Sequence, residues 1–297
     1  MEKDTPAESV FVRAAEPHCR SCAVYARAIE TLNAANVPFL VGGGFAVEVF
    51  VDAPRAKIKD LDLFIRPMDV GTALQALARN GFVTRLHEPQ WIAKAFDGED
   101  FVDLIYATRN GLLNVDDQSF LNAPRREVLG HEVLVQPVEE VIATKVFVTA
   151  RDRFDVSDIS HLVLLWGDRL DWRRLIERMS AQIEMLHVHL LLFQYIYPGQ
   201  PSRVPAWVYE EVERRAKSSR SRVYPDKASR GLALDPVAFA IDIERWGFFD
   251  ASRAEQARPE VPVESPKSDA TASGEPGADG GEPASTGPEN DPRREVA

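Results

Sequence analysis

The sequence predicts an α/β (α+β) fold, in which a mixed β-sheet is flanked by helices and followed by a helical subdomain and a disordered tail. Three observations predict it. Up to about residue 136, apolar runs of strand length alternate with segments whose apolar residues have helical spacing. Helical spacing then dominates to about residue 250. Beyond that the chain is rich in Pro, Gly, Ser, Glu and Asp, which cannot bury enough apolar surface to fold.

These patterns divide the chain into four units. We predict a flexible N-terminus (1–17), an α/β core (18–136), a helical C-terminal domain (137–250) and a disordered tail (251–297). The 297 residues are 45% hydrophobic, which is enough for one full core and a second, smaller unit.

The core elements follow from local signals taken in order. Asn80-Gly81 ends a helix, Asp97 to Asp100 is a hairpin signal, and the stretch around Gly130 is predicted to be one last strand. The predicted helices are 21–35, 45–51 and 68–80, and the predicted strands are 39–41, 60–65, 82–86, 91–96, 101–106 and 128–135.

The later elements are read as helices. Pro137 suits the first turn of a helix, and Pro198-Gly199 ends the helical unit. The predicted helices are 137–148, 156–166, 172–180 and 183–197, with a further short helix within 232–249.

Charge and composition exclude several classes of protein. The formal net charge of −11 argues against a large phosphate-binding surface. No apolar run is long enough to span a bilayer, and the first residues contain no apolar signal core. Only two cysteines occur, which suits a reducing compartment. We therefore expect a cytoplasmic protein without a membrane partner.

One stretch carries the strongest chemical signal. Gly42 to Gly44 lie between a strand and a helix, where their amide groups can point at phosphate oxygens. Asp60 and Asp62 follow in the next strand and are two residues apart, so both carboxylates leave the same face. Paired carboxylates repel each other, and a divalent ion such as Mg²⁺ offsets that repulsion. The order therefore suits a nucleoside triphosphate with its metal ions.

Gly42-Gly43 followed by Asp60-Leu61-Asp62 resembles the signature of the DNA polymerase β-like nucleotidyltransferase superfamily. Within it the chain looks closest to the small bacterial nucleotidyltransferases, including the AbiEii-type toxins. The resemblance implies a nucleotidyltransferase core, with Gly42 and Gly43 holding the triphosphate and Asp60 and Asp62 holding two Mg²⁺ ions. Gly43 and Ile58 stand where that signature often has hydroxyl-bearing residues, so a hydroxyl contact to phosphate is expected to be missing.

The resemblance also implies a third carboxylate on a later strand, and Asp103 in Phe101–Ile105 fits it. Asp60, Asp62 and Asp103 are thus the candidate catalytic and metal-binding residues. Lys145 is the candidate for a further phosphate contact; a surface lysine is the equal alternative. Glu139 and Glu140 could include a general base, although acidic residues also favour a helix N-terminus.

This reading predicts a metal-dependent enzyme that moves a nucleoside monophosphate from an NTP such as ATP to a hydroxyl acceptor. The acceptor stays open between a small molecule, a protein and a tRNA end. One alternative is a toxin that modifies RNA and pairs with an antitoxin. Others are a nucleotide-binding protein of this fold without turnover, and a metal phosphatase or nuclease, although such hydrolases do not need the glycine turn.

Three further features have simpler explanations. Cys19 and Cys22 form a CxxC without a second pair to complete a zinc site, so two thiols near a helix start are favoured. His187 and His189 point to different sides of a helix and are read as core or rim residues. A basic stretch is read as a solvated helix end rather than an RNA grip, and it contains Arg214, Arg215, Lys217, Arg220 and Arg222.

Overall fold

The computed structural model describes residues 21–53, 58, 60–150 and 153–252. The predicted flexible N-terminus (1–17) and nearly all of the predicted tail (251–297) lie outside this part of the chain. The described residues all fall in one compact unit. The division into a core (18–136) and a helical domain (137–250) stays a prediction.

The elements alternate between strand and helix in the first half and are mostly helical in the second. The helices are α1 (Cys22–Ala34), α2 (Gly43–Val51), α3 (Val70–Arg79), α4 (Asp117–Phe120), α5 (Val138–Lys145), α6 (Val156–Trp166), α7 (Trp172–Arg178), α8 (Ile183–Ile196), α9 (Ala206–Arg220) and α10 (Ala240–Glu244). The strands are β1 (Leu40–Val41), β2 (Leu61–Phe64), β3 (Val83–Glu88), β4 (Ile92–Asp97), β5 (Asp100–Ile105), β6 (Arg125–Val128), β7 (His131–Leu134), β8 (Thr149–Ala150), β9 (Arg153–Phe154), β10 (Ala228–Ser229) and β11 (Phe249–Asp250).

A five-stranded sheet with the order β1-β2-β5-β4-β3 forms the centre of the fold. Strands β2 and β5 run parallel, whereas β1 pairs antiparallel with β2, and β4 pairs antiparallel with both β5 and β3. The sheet is therefore mixed and flanked by helices, which confirms the predicted fold class.

The two faces of this sheet differ in chemistry because strand side chains alternate. Leu61, Leu63, Val102 and Leu104 leave one face and are fully buried. Helices α1 and α3 cover that side, since α1 contacts β5 and α3 contacts β3 and β4. The other face carries Asp62 of β2 and Asp103 of β5. Burial of one face thus fixes which side the carboxylates occupy.

The second half of the chain joins the same hydrophobic core. Helix α2 contacts α5 and α6, α6 contacts α8, and α8 contacts α9. The Trp166 indole donates a 2.7 Å hydrogen bond to the Phe50 carbonyl and packs edge-on against the Phe50 ring. The helical half is therefore attached to the helix that follows the glycine turn.

The structure differs from the predicted elements at the strand 128–135 and at helix α9. The single strand predicted at 128–135 is a hairpin of β6 and β7, because Leu129 and Gly130 both have positive φ and make a two-residue turn. Helix α9 was not predicted as an element. Its sequence is mostly polar and gives a weak periodic signal; Val208, Val212 and Ala216 nevertheless form a buried stripe.

None of the described helices combines the length and the apolar character that crossing a membrane requires.

Candidate active site

The glycine turn lies directly against Asp62. The Gly42 amide donates a 2.9 Å hydrogen bond to the Asp62 carbonyl, and α2 begins at the next residue. Gly43 has φ +54°, and a Cβ there would lie 1.7 Å from Asp62 Oδ2. A Cβ on Gly42 would lie 2.3 Å from the Phe64 ring. Both positions therefore require glycine, and the turn brings backbone amides next to a carboxylate.

Three carboxylates meet at the centre of the sheet. Asp62 and Asp103 are direct partners in the register of the parallel strands β2 and β5. Asp60 lies two residues before Asp62 and faces the same side. One carboxylate oxygen from each of the three residues lies within 4.8 Å of the others. The structure thus brings together the three acidic residues that the sequence nominated, beside Gly43.

The electrostatics of this cluster are unfavourable without a cation. Burial, and then the negative charges of Asp60 and Asp103, raise the pKa of Asp62 to about 7. Burial also raises the pKa of Asp103, partly opposed by Lys94. A divalent ion bound here would offset both the burial of Asp62 and its repulsion by Asp60 and Asp103.

Lys94 was not predicted as a site residue. It lies opposite Asp103 in the antiparallel pairing of β4 and β5, and its Nζ donates to Asp103 Oδ1 at 2.5 Å. The Nζ also lies 3.9 Å from the centre of the Phe101 ring. Asp103 is thus held in place by a cation, whereas Asp60 and Asp62 have no ion pair among the described residues. The register of the β4–β5 hairpin, in which Lys94 lies opposite Asp103, is the sequence feature that could have predicted this ion pair.

Lys145 lies in a buried ion-pair network. Its Nζ is 2.7 Å from Asp155 Oδ2 and 2.8 Å from Asp158 Oδ2. Burial alone would raise the pKa of Asp155, but Lys145 and Arg153 outweigh burial and lower it. Lys145 also lines the cleft over the sheet, and its charge lowers the pKa of Asp62. The role in phosphate binding stays a prediction.

The carboxylates line a cleft of about 700 Å³. Gly43, Asp60 and Asp62 line it together with Thr144, Lys145, Phe147, Val148, Thr149, Ala150, Arg153 and Asp155. The remaining wall is formed by the end of the β3–β4 hairpin, the residues after β5 and the C-terminal segment, and it includes His87, Glu88, Trp91, Thr108, Asn110, Leu232, Leu234, Pro236, Asp250 and Ser252. The cleft falls within the volume range of small-ligand sites.

Glu139 and Glu140 do not fit the general-base hypothesis. Glu140 is 2% exposed, and its carboxylate accepts hydrogen bonds from Arg174 at 3.3 Å and Arg178 at 3.2 Å. Glu139 accepts a hydrogen bond from the Asp171 amide. Neither lines the cleft described above. These acidic residues connect α5 to α7 instead.

Three basic residues of α9 are paired within the protein. Arg214 bonds Glu211, Arg215 bonds both Glu211 and Glu177, and Lys217 bonds Glu213. Most of their charge is therefore compensated locally, which supports the solvated-helix interpretation.

The histidine and cysteine motifs give no site among the described residues. His189 is 1% exposed and contacts the Val146 carbonyl at 3.1 Å, as a core histidine does. Burial lowers its pKa. Cys22 is a free thiol, and Cys19 lies outside the described residues.

No protein-family model and no curated protein matches this sequence. Solved structures with a similar fold include the antibiotic-resistance factor ANT(2'')-Ia, at 16% identity and TM-score 0.39 over 60% of this chain and 94% of that one. The lincosamide antibiotic adenylyltransferase LnuA aligns at 14% identity and TM-score 0.37 over 48% and 95%. An antigenic nucleotidyltransferase-like protein from Paracoccidioides brasiliensis aligns at 16% and 0.41 over 66% and 100%. Similarity this low does not assign a function, which has to come from the site itself.

Proposed function

We propose that this protein is a metal-dependent nucleotidyltransferase, which moves a nucleoside monophosphate from an NTP to a hydroxyl group of an acceptor. One observation carries the proposal: the carboxylates of Asp60, Asp62 and Asp103 converge within 4.8 Å and face the turn at Gly43. A hydrolase could use the same carboxylates, but it would not need a glycine turn packed against them.

The donor set fits Mg²⁺. The ligands are all carboxylate oxygens, which hard divalent cations prefer. Burial and the charges of Asp60 and Asp103 raise the pKa of Asp62 to about 7, and bound positive charge would offset both. Asp60, Asp62 and Asp103 would hold one ion, and Asp60 and Asp62 a second. Bound there, the ions would stabilise the charge that develops on the phosphoryl oxygens and on the leaving pyrophosphate.

The protein's own residues supply position and charge. The amides at the start of α2 would bind the triphosphate, because the helix N-terminus favours anions. Gly43 allows that approach, since any side chain there would overlap Asp62. Lys145, which also lines the cleft, would add positive charge. Asp103, held by Lys94, would accept the proton of the attacking hydroxyl.

The alternative is an AbiEii-type toxin that modifies RNA and pairs with an antitoxin. The described residues support this alternative less well. An RNA-modifying enzyme needs unpaired basic residues that neutralise phosphates. Arg214, Arg215 and Lys217 are instead paired with glutamates. The pyrophosphate-release assay described next distinguishes an enzyme from a protein that binds nucleotide without turnover.

The test is incubation of the purified full chain with each of the four NTPs, Mg²⁺ and a cell extract, with pyrophosphate release as the readout. We expect release that depends on Mg²⁺ and on one preferred NTP. Asp62→Asn should reduce the rate by at least about 100-fold, because it removes charge shared by both ion sites. Asp226→Asn is the matched control, since Asp226 is exposed and lies outside the cleft.

Two results would contradict the proposal. One is NTP binding without pyrophosphate release under any condition, which fits a nucleotide-binding protein. The other is a rate in Asp62→Asn equal to that of Asp226→Asn, because the carboxylate cluster would then not be the site.

A further inference from the structure

Resting on the proposed function, we infer that the acceptor is a small hydroxyl-bearing compound. Its binding subsite is the part of the cleft beyond Asp103, between the end of the β3–β4 hairpin and the C-terminal segment from Leu232 to Pro236. Trp91 and Glu88 are its specificity-determining residues.

The in-line geometry of phosphoryl transfer predicts that the acceptor binds on the β3–β4 side of Asp103. Phosphoryl transfer needs the attacking and leaving oxygens roughly in line. The glycine turn, which would hold the leaving pyrophosphate, follows β1 at one edge of the sheet. The attacking hydroxyl therefore comes from across Asp103, where β4 and β3 lie.

A β-bulge shapes this side of the cleft. Leu86 pairs with Ala93, whereas Glu88 pairs with Ile92, so His87 is an extra residue in β3. Bulges re-aim side chains, and here both His87 and Glu88 line the cleft. The Tyr106 hydroxyl donates to the Glu88 carbonyl at 3.3 Å and fixes the bend. The Glu88 carboxylate has no ion pair or side-chain hydrogen bond within the described part of the chain.

Two buried donors in the cleft wall also lack partners. The Trp91 Nε1 and Thr149 Oγ1 atoms are buried and make no hydrogen bond among the described residues. Both residues line the cleft. An indole N–H can only donate, and leaving it buried and unsatisfied is costly. A ligand oxygen could accept a hydrogen bond from the Trp91 indole. Ligand hydroxyls could donate hydrogen bonds to the Glu88 carboxylate.

The rest of this subsite combines apolar side chains with polar ones, namely His87, Thr108, Asn110, Asp250 and Ser252. Ile92 and Ile105 form its floor, and Leu232, Leu234 and Pro236 form its far wall. The Asn110 amide donates to the Ala233 carbonyl at 3.0 Å, and β10 pairs with β11, so that wall is anchored. A cleft of about 700 Å³ that combines apolar side chains with placed polar groups is typical of small-molecule sites.

The same features disfavour a macromolecular acceptor. An RNA end would bring its phosphate backbone to a cleft with three carboxylates, in a protein with a net charge of −11, and Arg214, Arg215 and Lys217 of α9 are paired with glutamates.

The acceptor class is tested with NTPs that carry ³²P at the α-phosphate, the full chain, Mg²⁺ and a cell extract. Ultrafiltration and phenol extraction then separate low-mass compounds, RNA and protein. We expect the label in a new low-mass compound, distinct from the free NMP and absent with Asp62→Asn. Label in RNA or in protein would overturn the inference and leave the nucleotidyltransferase intact. No transfer and no pyrophosphate release would refute the proposed function, and the inference with it.

The subsite is tested with two substitutions and their matched controls, using the active low-mass fraction as acceptor. Trp91→Phe and Glu88→Gln should each raise the KM for the acceptor about tenfold, as expected for one lost hydrogen bond, with the KM for NTP unchanged. Trp207→Phe on α9 and Glu127→Gln on β6 should change neither value. Should Trp91→Phe fold poorly by circular dichroism, Glu88→Gln decides, because Glu88 lies at the cleft rim. Acceptor KM values equal to those of the controls would overturn the assignment.

Discussion

Replacing Gly43 by alanine tests whether the glycine turn and the carboxylates form one site. A residue with a Cβ at φ +54° costs about 1–2 kcal/mol from the left-handed backbone alone. The new Cβ would also lie 1.7 Å from Asp62 Oδ2 and 2.6 Å from Asp62 Cγ. These distances are far inside van der Waals contact, so the Asp62 side chain must leave its position.

Gly98 provides a matched control. It has φ +61° in the β4–β5 turn, and a Cβ there meets nothing within 4 Å. Gly98→Ala should therefore lower the free energy of unfolding by the same 1–2 kcal/mol, roughly, and leave turnover unchanged. Gly43→Ala should lower stability by more. It should also reduce turnover by about 100-fold or more, because displacements of about 1 Å in a catalytic site have effects of that size.

The assays are urea unfolding followed by circular dichroism, Mn²⁺ titration and pyrophosphate release. The informative quantity is the difference between Gly43→Ala and Gly98→Ala in stability, Mn²⁺ affinity and turnover. Both variants carry the same cost of a left-handed backbone conformation, so that cost cancels. If Gly43→Ala kept the Mn²⁺ affinity and turnover of Gly98→Ala, the close packing of the turn against Asp62 would have no functional meaning.

Three further predictions concern charge. Because the pKa of Asp62 is raised from 3.8 to about 7, the folded metal-free protein keeps a proton that the unfolded chain loses. Stability in EDTA should therefore fall as the pH rises from about 4 to 7, and Mn²⁺ affinity should rise up to about tenfold per pH unit below 7. Asp62→Asn should flatten both curves in urea unfolding and metal titration. Lys145→Met leaves Asp155 and Asp158 buried with less compensating charge, so urea unfolding should show a loss of about 3 kcal/mol. A loss below about 1 kcal/mol would contradict the network. Glu140→Gln leaves two arginines without their buried carboxylate and should also cost about 3 kcal/mol, with no change in the KM for NTP.

Local patterns were sufficient for most elements. Helix α8 and the β4–β5 hairpin were predicted within about two residues, because apolar spacing and turn residues act over short distances. The hairpin at Leu129-Gly130 was read as one strand. A leucine with positive φ is uncommon, so its composition gave no warning of the turn.

The candidate site divides in the same way. Asp60 and Asp62 on one face follow from the two-residue period of a strand, and their nearness to Gly43 follows from a short connection. Their contact with Asp103 needed a strand pairing between residues about forty positions apart. Three further features depend on how the hairpins are placed: the Lys94–Asp103 ion pair, the bulge at His87 and the unpartnered Trp91 nitrogen. Local sequence patterns do not encode that placement.

By itself the sequence determined the chemistry available, namely carboxylates in a strand beside a glycine turn, and the faces on which they lie. Tertiary structure alone decided which charges meet. It paired Lys145 with Asp155 and Asp158, bound Glu140 to two arginines and left the Asp60–Asp62 pair without a cation among the described residues. The physical reason is range: side-chain periodicity is set by neighbouring residues, whereas ion pairs and burial depend on segments distant in the chain that only the packed core brings together.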